Sequence, residues 1–332
     1  MVRVLWGLTV IVLMTAEAAF GSGGKYATWE QDIRSAAELL SQGRLREAHA
    51  LLHGMLVDLD RADPDGARAI VTLNNLGNAA QALGRYDEAE GYYGRAIRSC
   101  EKNAECRKES LPRQLGNLAS LYLATRRYGN AERIQRQTLA ALESMGGLDR
   151  AERARQEEIA ATIAWARKRL AEAAHWNRRA LESWTSLLGP SDPRITSVLN
   201  NLGVVSLKEG DIVAAEDYFL RSVSIWEATC GPTHAGLVEP LLNLGRLHLL
   251  RRAPDRAGPL LSRALALAES TYGAGHGLVG SLLVERSELL RQLGRVAEAR
   301  EDARRGHALL DRRERELGRS LTVDVRQLVV DR

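Results

Sequence analysis

The sequence predicts an all-α fold in which helix-turn-helix hairpins stack into a right-handed α-solenoid. Two rows of small residues carry this prediction, because both recur at a step of 42 residues along the 332-residue chain. Small side chains at a fixed step are typical of repeat arrays, in which copies of one unit stack and their backbones approach closely. The first row is Ala89, Ala131, Ala173, Ala215, Ala257 and Ala299, and the second is Ala96, Thr138, Ala180, Ser222, Ala264 and Gly306.

Residues 1–18 have the pattern of a secretory signal peptide. Arg3 gives a basic start, residues 4–14 are largely apolar, and Ala16-Glu17-Ala18 forms a typical cleavage site. An uncleaved anchor is the alternative, but the apolar run is shorter than the ~20 residues that span a bilayer. We therefore expect export to the periplasm or the medium, a flexible leader over residues 19–30, and no membrane insertion after cleavage.

The cysteines bear on this expected oxidising environment. Cys100 and Cys106 are six residues apart, so they form either a local disulfide or two free thiols, and spacing alone leaves both open. Cys230 is left without a partner in this scheme.

One repeat is visible in the segment from Val71 to Glu101. Apolar and small residues at helical spacing predict a first helix, Gly84 breaks the pattern, and a second helix with the same period follows. The first helical face is Leu73, Leu76, Gly77 and Ala80, and the second is Tyr86, Ala89, Tyr93, Ala96 and Ile97.

The order Leu76-Gly77, Ala89, Tyr93 and Ala96 resembles the tetratricopeptide repeat. The step of 42 residues is similar to the long version found in kinesin light chains, and so are the segments Leu188-Gly189-Pro190-Ser191-Asp192-Pro193 and Leu199-Asn200-Asn201-Leu202-Gly203. The resemblance covers about 300 residues of the chain. We expect a single solenoid over residues 31–332, with about seven repeats. A polar capping helix over residues 314–330 is expected to cover its open end.

Composition and motifs argue against several function classes. The formal net charge is +4, but basic and acidic residues are interleaved and no basic stripe carries aromatic residues, so we expect no nucleic-acid binding. His49 and His53 stand four residues apart on one helix without an evident third ligand, which argues against a metal site. No catalytic motif is present either, and we expect neither an enzyme nor a cofactor.

Asparagines point to the binding surface. The residue before the Leu of each Leu-Gly pattern is Asn75, Asn117, Ile159, Asn201, Asn243 and then Glu285. In the arrays that this chain resembles, first helices line a concave groove, and Asn at this position forms a ladder that pairs with the backbone of an extended peptide. Ile159 and Glu285 interrupt the ladder. Neighbours expected to tune selectivity are Asn78, Gln81, Arg246 and Glu288.

Two interpretations of the asparagines stay open, since they could instead bond to the adjacent repeat and fix its position. We expect a non-enzymatic, exported scaffold that binds an extended segment of a protein or peptide partner. The alternative is an auxiliary subunit of a cell-envelope assembly that uses its convex face or its loops. The sequence leaves the partner, the face that binds and the oligomeric state open.

Overall fold

A computed structural model describes residues 27–144 and 150–316. Within these two ranges the chain forms fifteen α-helices and no strand, which confirms the predicted all-α class. In chain order the helices are α1 Ala27–Ser41, α2 Leu45–Ala62, α3 Ala67–Ala82, α4 Tyr86–Lys102, α5 Ala104–Glu109, α6 Leu111–Ala124, α7 Tyr128–Ser144, α8 Arg150–Ala166, α9 Leu170–Leu188, α10 Thr196–Glu209, α11 Ile212–Cys230, α12 Val238–Leu250, α13 Pro254–Tyr272, α14 Gly277–Gln292 and α15 Val296–Glu316.

The helices pair into seven hairpins, α1–α2, α3–α4, α6–α7, α8–α9, α10–α11, α12–α13 and α14–α15, with the short α5 as a connector. The chain divides into two compact units, and the division falls inside α8, between Ile159 and Ala160. We call the described residues up to Ile159 unit 1 and those from Ala160 onward unit 2.

In unit 1, consecutive helices pack on each other and enclose an apolar core. Leu52, Leu73 and Leu76 are fully buried in it, and Trp29 packs against its edge. The Nε1 atom of Trp29 donates a hydrogen bond to Oγ1 of Thr72 at 3.2 Å, which ties α1 to α3. Stacking of one hairpin on the next is therefore secured by apolar burial and by a specific polar contact.

Unit 2 repeats the arrangement with a larger core. Phe219, Leu237 and Leu244 are among its buried side chains, contributed by α11, the connection that follows it, and α12. The first helices α10, α12 and α14 also contact one another in sequence. Their contacts place the polar faces of neighbouring first helices side by side, which is the arrangement that positions the candidate site.

The small-residue rows lie where the two helices of a hairpin meet. The alanines at the step of 42 residues are at most 3% exposed. A Cβ atom added to Gly77 would lie 2.4 Å from the ring of Tyr93, and one added to Gly203 would lie 2.4 Å from the ring of Phe219. Each aromatic ring therefore packs directly on the backbone of the facing helix, which explains why these positions hold glycine.

The turns inside the seven hairpins share one backbone conformation. Their central residues have φ between +55° and +84°, which is the left-handed region that favours glycine. Four of these residues are glycines, but the others carry side chains. In chain order the seven are Gly43, Gly84, Arg126, Lys168, Gly210, Arg252 and Gly294.

The connections between hairpins take two forms. In unit 2, Gly231 and Gly273 end second helices with positive φ. His276 then caps α14, and His234 caps the short 3₁₀ helix Ala235–Leu237 that precedes α12, each by accepting a backbone N–H at Nδ1. In unit 1, the connection after α4 contains the short helix α5 and a disulfide between Cys100 and Cys106, with Cα atoms 5.1 Å apart. Cys100 is fully buried, so this disulfide fastens the connection to the core.

The predicted leader and the predicted capping helix each overlap a helix of the structure. Helix α1 begins at Ala27, inside the predicted leader, because Trp29 is held against the core. Of the predicted capping helix, residues 314–316 instead end α15, and the rest lies outside the described residues. The predicted signal peptide also lies outside them. A search of the described helices finds none with the length and apolar character needed to cross a bilayer.

Candidate functional site

Each unit has a candidate site on the polar side of its first helices, and we call it the asparagine face of that unit. In unit 1 it comprises Asn74, Asn75, Asn78 and Gln81 on α3 and Asn117 on α6, and in unit 2 it comprises Asn200 and Asn201 on α10, Asn243 and Arg246 on α12, and Glu285 on α14. Leu and small residues on the opposite side of each of these helices pack into the core. Asn74, Asn75, Asn243 and Arg246 are at most 9% exposed, so these four members of the asparagine faces are themselves buried.

In unit 1, two amides join neighbouring first helices. The Nδ2 atom of Asn117 donates to Oδ1 of Asn74 at 2.6 Å, across 43 residues of sequence. Asn75 behaves differently, since it is 5% exposed and its Nδ2 donates to the carbonyl oxygen of Val71 in its own helix. The half-buried Asn117 is therefore the amide of the predicted ladder that links hairpins in this unit.

Asn78 and Gln81 hold a buried phenol. The hydroxyl of Tyr93 donates to Oδ1 of Asn78 at 2.7 Å and approaches Oε1 of Gln81 at 3.2 Å. Tyr93 is 1% exposed, and this burial raises the pKa of its hydroxyl. The two amide oxygens therefore satisfy a polar group of the hairpin core as well as facing the surface.

In unit 2, hydrogen bonds run without a break through three first helices. Asn243 donates from Nδ2 to Oδ1 of Asn200 at 2.8 Å, and Arg246 approaches Oδ1 of Asn243 at 3.4 Å. The Nε and Nη2 atoms of Arg246 both donate to Oε1 of Glu285, at 2.9 and 2.6 Å. The side chains of this ion pair are 10% and 18% exposed, so solvent screens it less than a surface pair.

Glu285 corrects one expectation from the sequence. It was expected to interrupt the row of asparagines, but it continues the polar chain by accepting from Arg246 of the preceding hairpin. Ile159, the other expected interruption, is an apolar residue that is 3% exposed. The spacing of residues within one helix does not reveal that Arg246 and Glu285 pair between two hairpins.

Sequence reasoning also missed the acceptors of the two inter-hairpin bonds, Asn74 and Asn200. Both are the first asparagine of a Leu-Asn-Asn-Leu segment, and the expected ladder used the second asparagine. The signal was present, because in both units the first asparagine of the Leu-Asn-Asn-Leu segment precedes the asparagine of the next first helix by 43 residues. Asn201 is half-buried on α10, and Glu288 accepts from Arg291 and Gln292 of its own helix.

A buried amide pair in unit 1 was not foreseen either. Gln135 donates to the backbone oxygen of Gln156 at 2.7 Å, and Gln156 donates to the buried carboxylate of Glu152 at the same distance. Within the described parts of the chain, the Oε1 atoms of both glutamines lack a hydrogen-bond partner. These groups lie where α7 of one hairpin meets α8 of the next, and they make this part of the core polar.

The histidine pair does not form part of a larger ligand cluster. The rings of His49 and His53 are 6.4 Å apart, and burial lowers the pKa of His49. Among residues 27–144 and 150–316, no group of three or more His, Cys, Asp or Glu side chains is placed to hold a metal ion.

Solved structures resemble the chain at low sequence identity. BtubC (BKLC) from P. vanneervenii is 16% identical with a TM-score of 0.59, over 69% of this chain and 92% of that one. The apo form of RapI is 13% identical with a TM-score of 0.67, over 87% and 99%. The Rap conjugation gene regulator of plasmid pLS20, solved with the Phr* peptide, is 12% identical with a TM-score of 0.58, over 94% and 83%. These likenesses show the fold.

Sequence profiles agree with the fold. A tetratricopeptide repeat profile matches residues 68–144 and 194–257, and a second one matches residues 160–194. No curated protein sequence matches the chain significantly. The matched segments make up more than half of the chain, so it belongs to the tetratricopeptide repeat family.

Proposed function

We propose that this chain is a non-enzymatic binding scaffold that holds an extended peptide segment of a partner along the asparagine face of a unit. The observation that carries the proposal is a pair of hydrogen bonds between the side-chain amides of neighbouring first helices. Asn117 bonds to Asn74 and Asn243 bonds to Asn200, in each case 43 residues apart in the sequence. Amides fixed in this way keep a constant spacing without reorganising when a ligand binds, which lowers the cost of binding.

The chemistry suits a peptide backbone. A carboxamide has two N–H donors and an oxygen acceptor, and the bond to Asn74 uses one donor of Asn117. The second N–H can donate to a peptide carbonyl, which gives affinity that depends little on the side chains of the ligand. Arg246 and Glu285, which neutralise each other, leave this part of the face polar without a net charge.

The family supports the same function. Tetratricopeptide repeats are interaction modules, and the pLS20 regulator with a similar fold was solved with a bound peptide. The absence of a catalytic motif in the sequence agrees with a protein that acts by equilibrium binding.

The test uses peptides selected from a random library displayed on phage, with binding of a selected peptide measured by fluorescence anisotropy. Replacing Asn117 or Asn243 with alanine should weaken binding about five- to tenfold, the loss expected for one hydrogen bond. Asn130→Ala is the matched control, because Asn130 is exposed on the second helix α7. Peptide binding that is unchanged in Asn117→Ala and Asn243→Ala would contradict the asparagine face and favour the alternative use of the convex face or loops.

Export is part of the proposal. The signal-peptide pattern of residues 1–18 and the disulfide between Cys100 and Cys106 both favour an oxidising compartment outside the cytoplasm. Cell fractionation with N-terminal sequencing of the protein tests it. A new N-terminus after Ala18 is the expected result, and a full-length protein in the cytoplasm would contradict it.

A further inference from the structure

The turns of unit 2 form an edge with a distinctive composition. Because neighbouring first helices contact side by side, the turns between the helices of successive hairpins lie along the same edge. We define this turn edge as the seven-residue segments around the four turn positions, residues 165–171, 207–213, 249–255 and 291–297. They contain eight basic and three acidic side chains, whereas the whole chain has a net charge of only +4. Most of these cations already have partners, since four of them pair with carboxylates that lie just outside the segments, and Arg167 and Lys208 also make interactions of their own. Lys168 and Arg252 therefore carry the charge of the turn edge that these contacts leave unneutralised.

Exposed apolar side chains concentrate on the same edge. Among the described residues seven large apolar side chains are exposed, and four of them belong to these segments. They are Val213 at 80%, Leu250 at 49%, Leu293 at 45% and Val296 at 49% exposure. Single exposed aliphatic residues are common on protein surfaces, but a series along one edge marks an interaction surface.

Two cations of the edge occupy strained backbone positions. Lys168 and Arg252 have φ of +60° and +55°, where Gly210 and Gly294 stand in the neighbouring hairpins. A residue with a Cβ atom costs about 1 kcal/mol or more in this conformation. Neither side chain forms a hydrogen bond or an ion pair with the part of the chain that the structure describes. Their charges are therefore not neutralised by that part of the chain and are available to an external partner.

We propose that the turn edge of unit 2 docks on the surface of an anionic lipid bilayer. Cations beside lipid phosphates and aliphatic side chains in the interfacial layer are the two contributions that together hold a peripheral protein on a membrane. An acidic protein surface is the other partner that cations and aliphatic side chains would fit, and soluble polyglutamate represents it in the experiment. The turn edge is distinct from the asparagine face, so the two proposals stand or fall separately.

The experiment is co-sedimentation of the protein with phosphatidylcholine vesicles, prepared with and without phosphatidylglycerol, at low and high salt. We expect binding only to vesicles that contain phosphatidylglycerol, and weaker binding at high salt. Replacing Lys168 and Arg252 with glycine should weaken the binding about thirtyfold. Each Lys or Arg near an anionic membrane surface strengthens binding about fivefold, and the variant removes two. These replacements suit the positive φ of both turns, so the variant should remain folded.

A second variant, Val213→Ser with Val296→Ser, tests the aliphatic contribution and should also bind more weakly. The control variant, Arg178→Ser with Leu220→Ser, removes an exposed cation and an exposed aliphatic residue away from the turns and should bind like the wild type. The proposal is overturned if phosphatidylglycerol vesicles do not bind, or if only the Lys168 and Arg252 variant loses binding, which would mean adsorption by charge alone. Binding to soluble polyglutamate without binding to vesicles would overturn it in favour of an acidic protein partner.

Discussion

Asn243 donates a hydrogen bond to Oδ1 of Asn200, and the two residues belong to first helices of successive hairpins. Asn117 makes the same bond to Asn74 in unit 1. These bonds match the interpretation in which the asparagines bond to the adjacent repeat, and the binding of a peptide by the same amides is our proposal.

This bond predicts a measurable coupling. Asn200→Ala and Asn243→Ala should each lower the free energy of unfolding by about 1 kcal/mol, because each leaves a polar partner without its hydrogen bond. Asn243→Ala should cost more, because it also removes the acceptor of Arg246. Urea denaturation of both single variants and of the double variant would show a coupling energy of about 0.5 kcal/mol or more.

Asn201→Ala is the control for that cycle. Asn201 is adjacent to Asn200 and half-buried, but its side chain makes no hydrogen bond within the described ranges. The bond between Asn243 and Asn200 would be contradicted if the two single variants lowered the free energy of unfolding additively in the double variant. It would also be contradicted if Asn201→Ala lowered the free energy of unfolding as much as Asn200→Ala does.

The contact of Gly203 with the ring of Phe219 predicts the effect of a single methyl group. Gly203→Ala would place a Cβ atom 2.4 Å from the ring of a fully buried residue, so the helices of this hairpin must move apart. We expect the free energy of unfolding to fall by about 1–3 kcal/mol, as for other overpacked cores. Thermal unfolding followed by circular dichroism measures it.

The opposite result is expected for Gly54→Ala, which is the matched control. Gly54 lies inside α2, and an added Cβ atom would meet no atom within 4 Å. Alanine favours the helix over glycine by about 1 kcal/mol, so this variant should be more stable than the wild type. Equal effects of the two substitutions would contradict the close approach at Gly203.

Much of the hairpin architecture could be predicted from the sequence. The close approach of two helices requires a small side chain, and this requirement recurs at a fixed step along the chain. The alanines mark where the two helices meet in six of the seven hairpins, and Gly77 and Gly203 mark where an aromatic ring packs on the facing backbone. Such positions tolerate few side chains, so they remain visible even when the rest of a repeat differs.

The polar contacts could not be predicted in the same way. The bond between Arg246 and Glu285 joins residues 39 apart, and Asn74 pairs with Asn117 rather than with a member of its own row. These pairs depend on the offset between stacked hairpins, which no period within one helix specifies. Lys168 stands where four other turns have glycine, and its backbone conformation is that of those glycines.

The turn conformation predicts stabilising substitutions. Lys168→Gly and Arg252→Gly should each raise the free energy of unfolding by about 0.5–1 kcal/mol, because relief of strain at positive φ exceeds the entropy that glycine adds to the unfolded chain. Lys168→Ala and Arg252→Ala are the controls, since they remove the same side chains but keep the Cβ atom. A gain in the alanine variants equal to that in the glycine variants would attribute the effect to charge rather than to backbone strain.

The disulfide predicts a redox-dependent stability of unit 1. Replacing Cys100 and Cys106 with alanine should lower the free energy of unfolding by about 2 kcal/mol, the value expected for a short loop. A reductant should destabilise the wild type by a similar amount and leave this variant unchanged. Cys230→Ser should retain the response to reductant, because Cys230 is an exposed free thiol. If the reductant left the free energy of unfolding of the wild type unchanged, the disulfide would not contribute to stability.

His248 is a buried histidine whose charge the fold disfavours. It is 7% exposed in α12, and burial lowers the pKa of its imidazole, while the carboxylate of Glu216, 3.8 Å from Nε2, raises it less strongly. Arg256 and Arg251 add to the lowering. Because the folded pKa lies below the ordinary value of 6.5, the unfolded chain takes up this proton first as the pH falls.

Stability linked to His248 is therefore complete above its ordinary pKa and declines as the pH falls towards the folded value. His248→Leu, which copies the buried Leu290 of the next hairpin, should remove this decline, so its stability relative to the wild type should increase between neutral and mildly acidic pH. Glu216→Gln should enlarge the decline, because it removes the carboxylate that opposes the lowered pKa. Urea denaturation across this pH range tests both variants, and identical pH dependence in His248→Leu and the wild type would contradict the burial of a neutral His248.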